Sequence, residues 1–271
     1  MTSKQGTQPN RPLHDEYPPI HSKNSKSCLK NREISPDGTS SRAQLESISR
    51  YYNYLGATKD DPSPHKDVNG CFAVRLALFL IETISSRRYA LDDEGCLGGD
   101  FYRHCMKSDR DLAMEINDPD LLIIYIKQCL RMMDSCGILL RDGSFARISA
   151  PEASAATIFH RLFNSFWNST PWEDLFPSDT ESARELNAVR AILKDLLLRR
   201  HASVSIGTLA NEFFEMTGFS SRNNLFMISF LDFYFFTWLK HFGMIRYSGG
   251  KDHAPVRITV TDLGRNSLKT F

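Results

Sequence analysis

The sequence predicts a mainly α-helical protein with small β-hairpins, an α+β chain in which one helix-and-hairpin unit occurs twice. Three observations lead to this prediction. Segments with apolar residues at helical spacing occupy most of residues 70–271. Two long apolar segments, at residues 119–135 and 221–243, each run into a glycine and are followed by a hairpin signal. The elements that precede the two hairpins have the same order, which indicates a duplication.

Composition and charge limit the classes of partner. The 271 residues have room for one large or two small domains, and the hydrophobic fraction of 41% is ordinary for a globular chain. The net charge of +1 predicts no general attraction to nucleic acid or to anionic membranes. The charge is uneven, however. Residues 69–180 hold 11 basic and 16 acidic side chains, whereas residues 183–271 hold 12 basic and 7 acidic ones, so the second half suits a polyanion better.

The first quarter of the chain differs from the rest. Residues 1–44 are rich in Ser, Pro, Asn, Lys and Thr and contain almost no apolar clusters, so they cannot bury enough surface to offset their ordering entropy. Two prolines mark residues 60–67 as a linker. We therefore expect a disordered tail and linker over residues 1–68, with a possible short helix at residues 43–54.

The cysteines form neither a metal pattern nor a disulfide pattern. Six are spread along the chain, and none belongs to a CxxC pair. Cys96, His104 and Cys105 come nearest to a ligand set, but their spacing matches no known site and a fourth ligand is missing. We expect no metal and no other cofactor, and a reducing compartment, cytoplasmic or nuclear.

The sequence predicts no attachment to a membrane. It opens without an apolar leader. The apolar run at residues 225–239 is shorter than the roughly 20 residues that span a bilayer, and Asp232 lies in its middle. A helix buried in a protein core is the better interpretation.

The first predicted domain covers residues 70–150. It begins with a helix at residues 71–87, followed by an acidic loop and a short helix at residues 100–107. Asp118 is a candidate N-cap, with Pro119 at the first position of a helix that ends at residue 135. An Asp-Gly turn signal then joins short strands at residues 138–140 and 145–148.

A helical connector is predicted over residues 151–180, with its helix at residues 151–168. The second domain follows over residues 181–271. Its predicted elements are helices at 181–200, 208–217 and 221–243, a short strand at 204–206, hairpin strands at 244–247 and 256–260, and a final helical turn at 262–268.

Short matches between the two domains support the duplication. They occur in one order along both: Ala73-Val74-Arg75 with Ala188-Val189-Arg190, Leu97-Gly98 with Ile206-Gly207, Cys136-Gly137-Ile138-Leu139 with Phe242-Gly243-Met244-Ile245, and Arg147-Ile148-Ser149 with Arg257-Ile258-Thr259. Each match is weak alone, but four in the same order indicate tandem copies.

The order helix, short strand, helix, turn, helix, hairpin resembles the winged-helix superfamily. The stretch from Arg257 to Arg265, in which a strand ends in Thr before Gly264, resembles the end of the wing in many bacterial and archaeal winged-helix regulators. The resemblance covers residues 181–271 well and 70–150 more loosely. It implies tandem winged-helix domains, but the fold serves several functions.

In DNA-binding members of that superfamily, the start of the third helix enters the major groove and the wing touches the backbone or minor groove. The resemblance therefore implies duplex DNA as a partner of the second domain, and a transcription-regulator type of protein. The candidate contacts are Ser221, Arg222, Asn223 and Asn224 at the helix start, and Lys251, His253 and Arg257 in the wing. A purely structural role stays open, in which Ser221 is an N-cap and the asparagines fill a polar first turn.

An assembly module is the alternative. The third helix of the second domain is aromatic almost all round, and such a helix needs cover from the other domain, a protein partner or a second copy of the chain. Its candidate contact residues are Phe226, Phe230, Tyr234 and Trp238. We expect the buried Asp232 to pair with a nearby His, Lys or Arg or to cap a polar gap, because an unpaired buried carboxylate is costly.

Catalysis finds little support in the sequence. It contains no Gly-rich phosphate loop, no GxSxG and no HExxH motif. His160, His201 and His241 are isolated from other chemistry-bearing side chains. We therefore expect a protein that is not an enzyme.

Overall fold

A computed structural model of the chain describes residues 68–93, 95–108, 110–177, 180–200, 202–218, 231–249 and 256–270. These residues belong to one compact unit, residues 39–271. The predicted disordered tail and the possible helix at residues 43–54 lie outside the described residues. Predictions for the start of the third helix and the tip of the second hairpin also lie outside them.

The first half contains four helices and a hairpin: α1 (Phe72–Ser86), α2 (Gly99–Ser108), α3 (Arg110–Ile116), α4 (Pro119–Ser135), β1 (Leu139–Asp142) and β2 (Phe145–Ile148). The predicted start of α4 is confirmed. Asp118 accepts hydrogen bonds from the backbone N–H groups of Asp120 and Leu121, at 3.0 and 3.1 Å. Helix α3 has no counterpart in the prediction.

The connector contains α5 (Ala155–Asn164), a π-helical turn (Ser165–Ser169) and the short α6 (Trp172–Leu175). The predicted helix at 151–168 begins later than expected. The reason is a cap: Ser154 Oγ accepts the backbone N–H of Thr157 at 3.2 Å, which fixes the helix start at Ala155.

The second half contains α7 (Thr180–Ala188), α8 (Arg190–Leu198), β3 (Val204–Ser205), α9 (Ile206–Thr217), a π-helical stretch (Leu231–Phe236), α10 (Thr237–His241), β4 (Ile245–Ser248), β5 (Arg257–Val260) and α11 (Asp262–Thr270). The single helix predicted over 181–200 is wrong, because Val189 interrupts it with φ −116° and ψ 14°. Helix α9 begins two residues before its predicted start, capped by Ser205, whose Oγ accepts the N–H of Thr208 at 3.0 Å.

Two small antiparallel sheets accompany the helices. One is the β1–β2 hairpin, and the other has three strands in the order β3–β5–β4. The prediction of a mainly α-helical chain with small β-hairpins is thus confirmed. None of the helices in the described ranges has the length and apolar character needed to cross a bilayer.

The same glycine-terminated junction joins a helix to the hairpin in each half, α4 in the first and α10 in the second. Gly137 and Gly243 adopt left-handed φ values of 66° and 69°. The residue after each glycine donates its N–H to the carbonyl five residues back, at 2.8 and 2.9 Å. Ser149 Oγ and Thr261 Oγ1 then donate to the carbonyl oxygens of Gly137 and Gly243, each at 2.7 Å.

The last strand of each hairpin also pairs with a segment that lies earlier in the same half. Ala90 forms a single bridge to Phe145 in the first half, and Ser205 of β3 pairs with Arg257 in the second. This register matches Phe145 with Arg257, so the sequence match of Arg147 with Arg257 is off by two residues. A bridge between Leu91 and Leu97 follows in the first half.

One apolar core runs through both halves and the connector. At its centre, Trp238 Nε1 donates to Gln128 Oε1 at 2.8 Å, and Gln128 Nε2 donates to the carbonyl of Leu175 at 3.0 Å. The side chains of Gln128 and Trp238 are buried. This polar link therefore joins α4, the connector and α10 inside an apolar environment, where each partner depends on the others.

His241 packs beside this polar link, against residues of α1 and α4. Its ring centroid is 4.4 Å from that of Phe72 and 4.7 Å from that of Tyr125. Its Nε2 atom is buried without a hydrogen-bond partner among the described residues. Burial, reinforced by the nearby charges of Lys240 and Arg75, lowers the pKa of His241 well below its usual value.

Candidate nucleic-acid interface

The structure describes one of the seven predicted DNA contacts. Arg257 is exposed at the start of β5, whereas Ser221, Arg222, Asn223, Asn224, Lys251 and His253 lie outside the described residues. Of the four residues proposed for the alternative, Trp238 is fully buried and faces the internal core. Tyr234 lies in the π-helical stretch with its side chain undescribed, and Phe226 and Phe230 lie outside the described residues.

The outer face of the second sheet is polar and cationic. The strand register puts the apolar residues of all three strands on the core face and the remaining residues on the opposite face. The residues of the outer face are Ser205, Arg246, Ser248, Arg257 and Thr259. Both arginines are exposed, and no acidic side chain shares the face with them in the described strands. The face therefore presents two cations among three hydroxyl groups.

The matching face of the first sheet has another character. By the same register, it carries Ala90, Leu140, Asp142, Phe145 and Arg147. Phe145 stands where the second half has Arg257, and Leu140 where it has Arg246. The Arg88 guanidinium lies over the Phe145 ring, 4.5 Å from its centroid, and thereby covers this aromatic side chain.

An open cavity of about 370 Å³ borders the cationic face, where the end of α8, strand β3 and strand β5 meet. Three arginines and three hydroxyl side chains line it: Arg199, Arg200, Arg257, Ser203, Ser205 and Thr208. We call this cavity the basic pocket. None of the described residues that line it is acidic.

The basic pocket holds its cations in different ways. Arg257 is anchored to Ser203, since its Nε donates to Ser203 Oγ at 3.1 Å and its Nη2 to the Ser203 carbonyl at 2.6 Å. Arg200 forms an ion pair with Glu212, outside the pocket lining, and its carbonyl accepts from Arg265 Nη1 at 3.0 Å. Arg199 is exposed and has no carboxylate partner in the described ranges.

Sequence reasoning found Arg257 but missed the residues that meet it in space. Arg246 could have been found, because its alternation with the apolar Ile245 and Tyr247 marks it as outward-facing. Arg199 and Arg200 carried no such signal. They follow a helix end, and only the pairing of β3 with β5 brings them beside Arg257.

Asp232 is bonded inside the core. Tyr247 donates its hydroxyl to Asp232 Oδ1 at 3.1 Å, which agrees with the expectation that this carboxylate pairs with a neighbour or caps a polar gap. Asp232 is buried, and this bond ties the third helix to β4 beneath the cationic face. In the part of the chain that the structure describes, His, Cys, Asp and Glu side chains form no group of three placed to hold a metal ion.

Comparison with known proteins gives no relative from which a function could be transferred. The chain matches no family model, no curated protein and no solved structure.

Proposed function

We propose that the chain is a tandem winged-helix protein of the transcription-regulator type that binds duplex DNA through its second half. The observation that carries the proposal is the outer face of the β3–β5–β4 sheet, where Arg246 and Arg257 are exposed among hydroxyl side chains. Arginine and hydroxyl groups are the usual donors to DNA phosphates.

The arrangement of elements supports the winged-helix part of the proposal. In the second half, α8 leads through the short β3 to α9, and a hairpin closes the sheet in the order β3–β5–β4. The first half repeats the glycine-terminated third helix, the hairpin and a bridge from Ala90 to that hairpin. The compositional excess of basic residues in the second half favours the same partner.

The direct test is a titration of a fluorescent duplex of mixed sequence with the full chain at two salt concentrations. We expect micromolar or tighter binding that weakens as salt rises, because phosphate contacts release counterions. Arg222→Ala and Lys251→Ala should each weaken binding by about tenfold. Arg131→Ala, which changes an exposed arginine on α4, is the matched control and should leave the affinity unchanged. Salt-independent or undetectable binding would refute the proposal.

An assembly module is the second candidate. One observation favours it: the apolar helices that precede the two hairpins are joined in one core through Gln128 and Trp238. An assembly module also needs an exposed apolar surface for its partner. The large apolar side chains exposed in the described ranges are Ile124 and Met216, 42% and 45% exposed. Sedimentation of the full chain distinguishes the candidates, since a homodimer with no affinity for DNA supports assembly.

A further inference from the structure

The basic pocket is a separate feature from the cationic sheet face, although they share Ser205 and Arg257. It is an open cavity, and its volume of about 370 Å³ falls in the lower part of the range typical of small-ligand sites. Its lining combines guanidinium and hydroxyl donors with no carboxylate among the described residues. This chemistry selects an oxyanion.

We infer that the basic pocket binds a single phosphate group as a discrete ligand, held by Arg199 and Arg257. The inference rests on the proposed function only for the source of the phosphate. A DNA backbone and a small phosphorylated molecule offer the same chemistry, and the pocket would receive either one.

The positive charges of the basic pocket are only partly compensated. Glu212 compensates Arg200, but Arg199 and Arg257 have no carboxylate partner in the part of the chain that is described. Two uncompensated cations at one cavity repel each other, and a bound dianion removes that repulsion. Such an arrangement is therefore stabilised by a phosphate.

The guanidinium of Arg257 is held in place before any ligand binds. Two of the five N–H donors of Arg257 are used by Ser203, which fixes the guanidinium plane and leaves the other three donors for a ligand. A guanidinium held in this way loses little entropy when it binds an anion in its planar fork. Lysine in the same position could not reproduce that geometry.

The backbone beside the pocket is also accessible. Gly207 occupies the second position of α9, and a Cβ placed there would have nothing within 4 Å. The first turn of a helix carries partial positive charge on its N–H groups. Ser205 Oγ already accepts the N–H of Thr208, and the Val256 carbonyl accepts that of Ile206. The helix start therefore adds its dipole to the charges of the arginines, while these two N–H donors are used within the chain.

The test uses the full chain and inorganic phosphate, with the ³¹P linewidth as the readout. We expect saturable broadening with the wild-type chain. Arg257→Gln should weaken binding by about tenfold, because it removes charge-assisted hydrogen bonds. Arg199→Glu should abolish it, since an acid then enters the pocket. Arg147→Gln, which removes an exposed arginine from β2 of the first half, is the matched control and should bind phosphate like the wild type.

Two results would overturn the inference: no saturable broadening with the wild-type chain, or wild-type binding by both Arg257→Gln and Arg199→Glu. The exposed side chain of Arg199 has no carboxylate partner in the described ranges, so its replacement should leave the fold intact, and circular dichroism checks this before each titration. If Arg199→Glu fails to fold, the neutral Arg199→Gln replaces it, with an expected loss of about tenfold.

A displacement experiment distinguishes the two phosphate sources. Fluorescent duplex is displaced with inorganic phosphate or with sodium chloride at matched ionic strength. Stronger displacement by phosphate supports the pocket and assigns it to a DNA phosphate. Saturable phosphate binding with unchanged duplex affinity in the Arg199 and Arg257 variants supports the pocket and assigns it to a small phosphorylated ligand. Phosphate binding by a chain without affinity for duplex DNA supports the pocket while refuting the proposed function.

Discussion

The two halves of this protein share a backbone plan but present different surfaces. Both end the helix before the hairpin, α4 or α10, at a left-handed glycine, Gly137 or Gly243. The last hairpin strand pairs with an earlier segment in both, through a single bridge at Ala90 in the first half and through β3 in the second. On the outer face, however, Phe145 of the first half corresponds to Arg257 of the second. One half covers its aromatic side chain with Arg88, and the other exposes its cation.

Backbone junctions and outward-facing side chains therefore have different roles in this fold: the junctions set the structure, and the side chains determine what the surface can bind. The junctions that set the course of the chain use backbone hydrogen bonds and glycine, so they are preserved while side chains change. Outward-facing strand positions contribute little to the core, which leaves their chemistry free to diverge.

Gly264→Ala should destabilise the second half through a clash that has no parallel in the first. A Cβ at this position would overlap the backbone carbonyl of Met244, so α11 must move away from the start of β4. We expect a loss of about 3 kcal/mol in the free energy of unfolding, measured with denaturant. Gly98→Ala is the control, because a Cβ there meets nothing within 4 Å and should cost less than about 1 kcal/mol. Equal costs would contradict the close packing of α11.

Gln128→Met tests whether the halves depend on their shared polar link. It leaves the indole N–H of Trp238 and the carbonyl of Leu175 buried without these partners. Each orphaned group is costly, so we expect a loss of about 2 kcal/mol or more in unfolding free energy. Lys127→Met, at the adjacent exposed position, should change stability by less than about 0.5 kcal/mol. If Gln128→Met leaves the free energy of unfolding unchanged, the polar link does not stabilise the contact between α4, the connector and α10.

His241 should make stability sensitive to acid. Its first-half counterpart by the helix-end register is the exposed Ser135, so the effect belongs to the second half alone. Because burial lowers the pKa of His241 in the folded state, the unfolded chain binds a proton first as pH falls below about 6.5. Between that pH and the lowered pKa, stability should fall by up to about 1.4 kcal/mol per pH unit.

The measurement is denaturant unfolding of the wild-type chain and a His241→Leu variant from pH 7.5 to pH 5. The difference between the two chains in the slope of unfolding free energy against pH isolates the contribution of His241 from those of other titrating groups. Loss of stability should be smaller in the variant over this range. Parallel curves would mean that His241 is protonated as easily in the folded chain as in the unfolded one.

The two junction glycines should behave alike. Gly137→Ala and Gly243→Ala each force a Cβ into a left-handed conformation, with φ of 66° and 69°. We expect each to cost about 1 kcal/mol, with a difference of less than about 0.5 kcal/mol between them. Thermal unfolding of the two variants provides the comparison. A cost confined to one half would show that the junctions are alike in geometry but not in energy.

Local signals accounted for much of the fold. The Asp118 cap, the proline after it and the glycine stops predicted α4 and both hairpins, because each acts through its own backbone neighbourhood. The break at Val189 and the short α3 were missed, since apolar spacing continues through the first and the second has only seven residues in which to show a period.

The candidate site was less predictable than the fold. The link between Gln128 and Trp238 spans 110 residues, and the basic pocket joins a helix end to a hairpin strand. Such neighbours depend on chain topology, which spacing in the sequence does not reveal. The tandem winged-helix assignment and the residues at 221–224 stay predictions.

The most direct test of the central claim compares matched arginine removals in the two hairpins. One variant combines Arg246→Gln with Arg257→Gln in the second half, and the other combines Arg141→Gln with Arg147→Gln in the first. Duplex affinity is measured for both, and for the wild type, across a salt series. We expect the second-half variant to lose tenfold or more in affinity and to show a salt slope reduced by about two, while the first-half variant keeps both within error. Equal losses in the two variants, or none in either, would contradict the assignment of DNA binding to the second half.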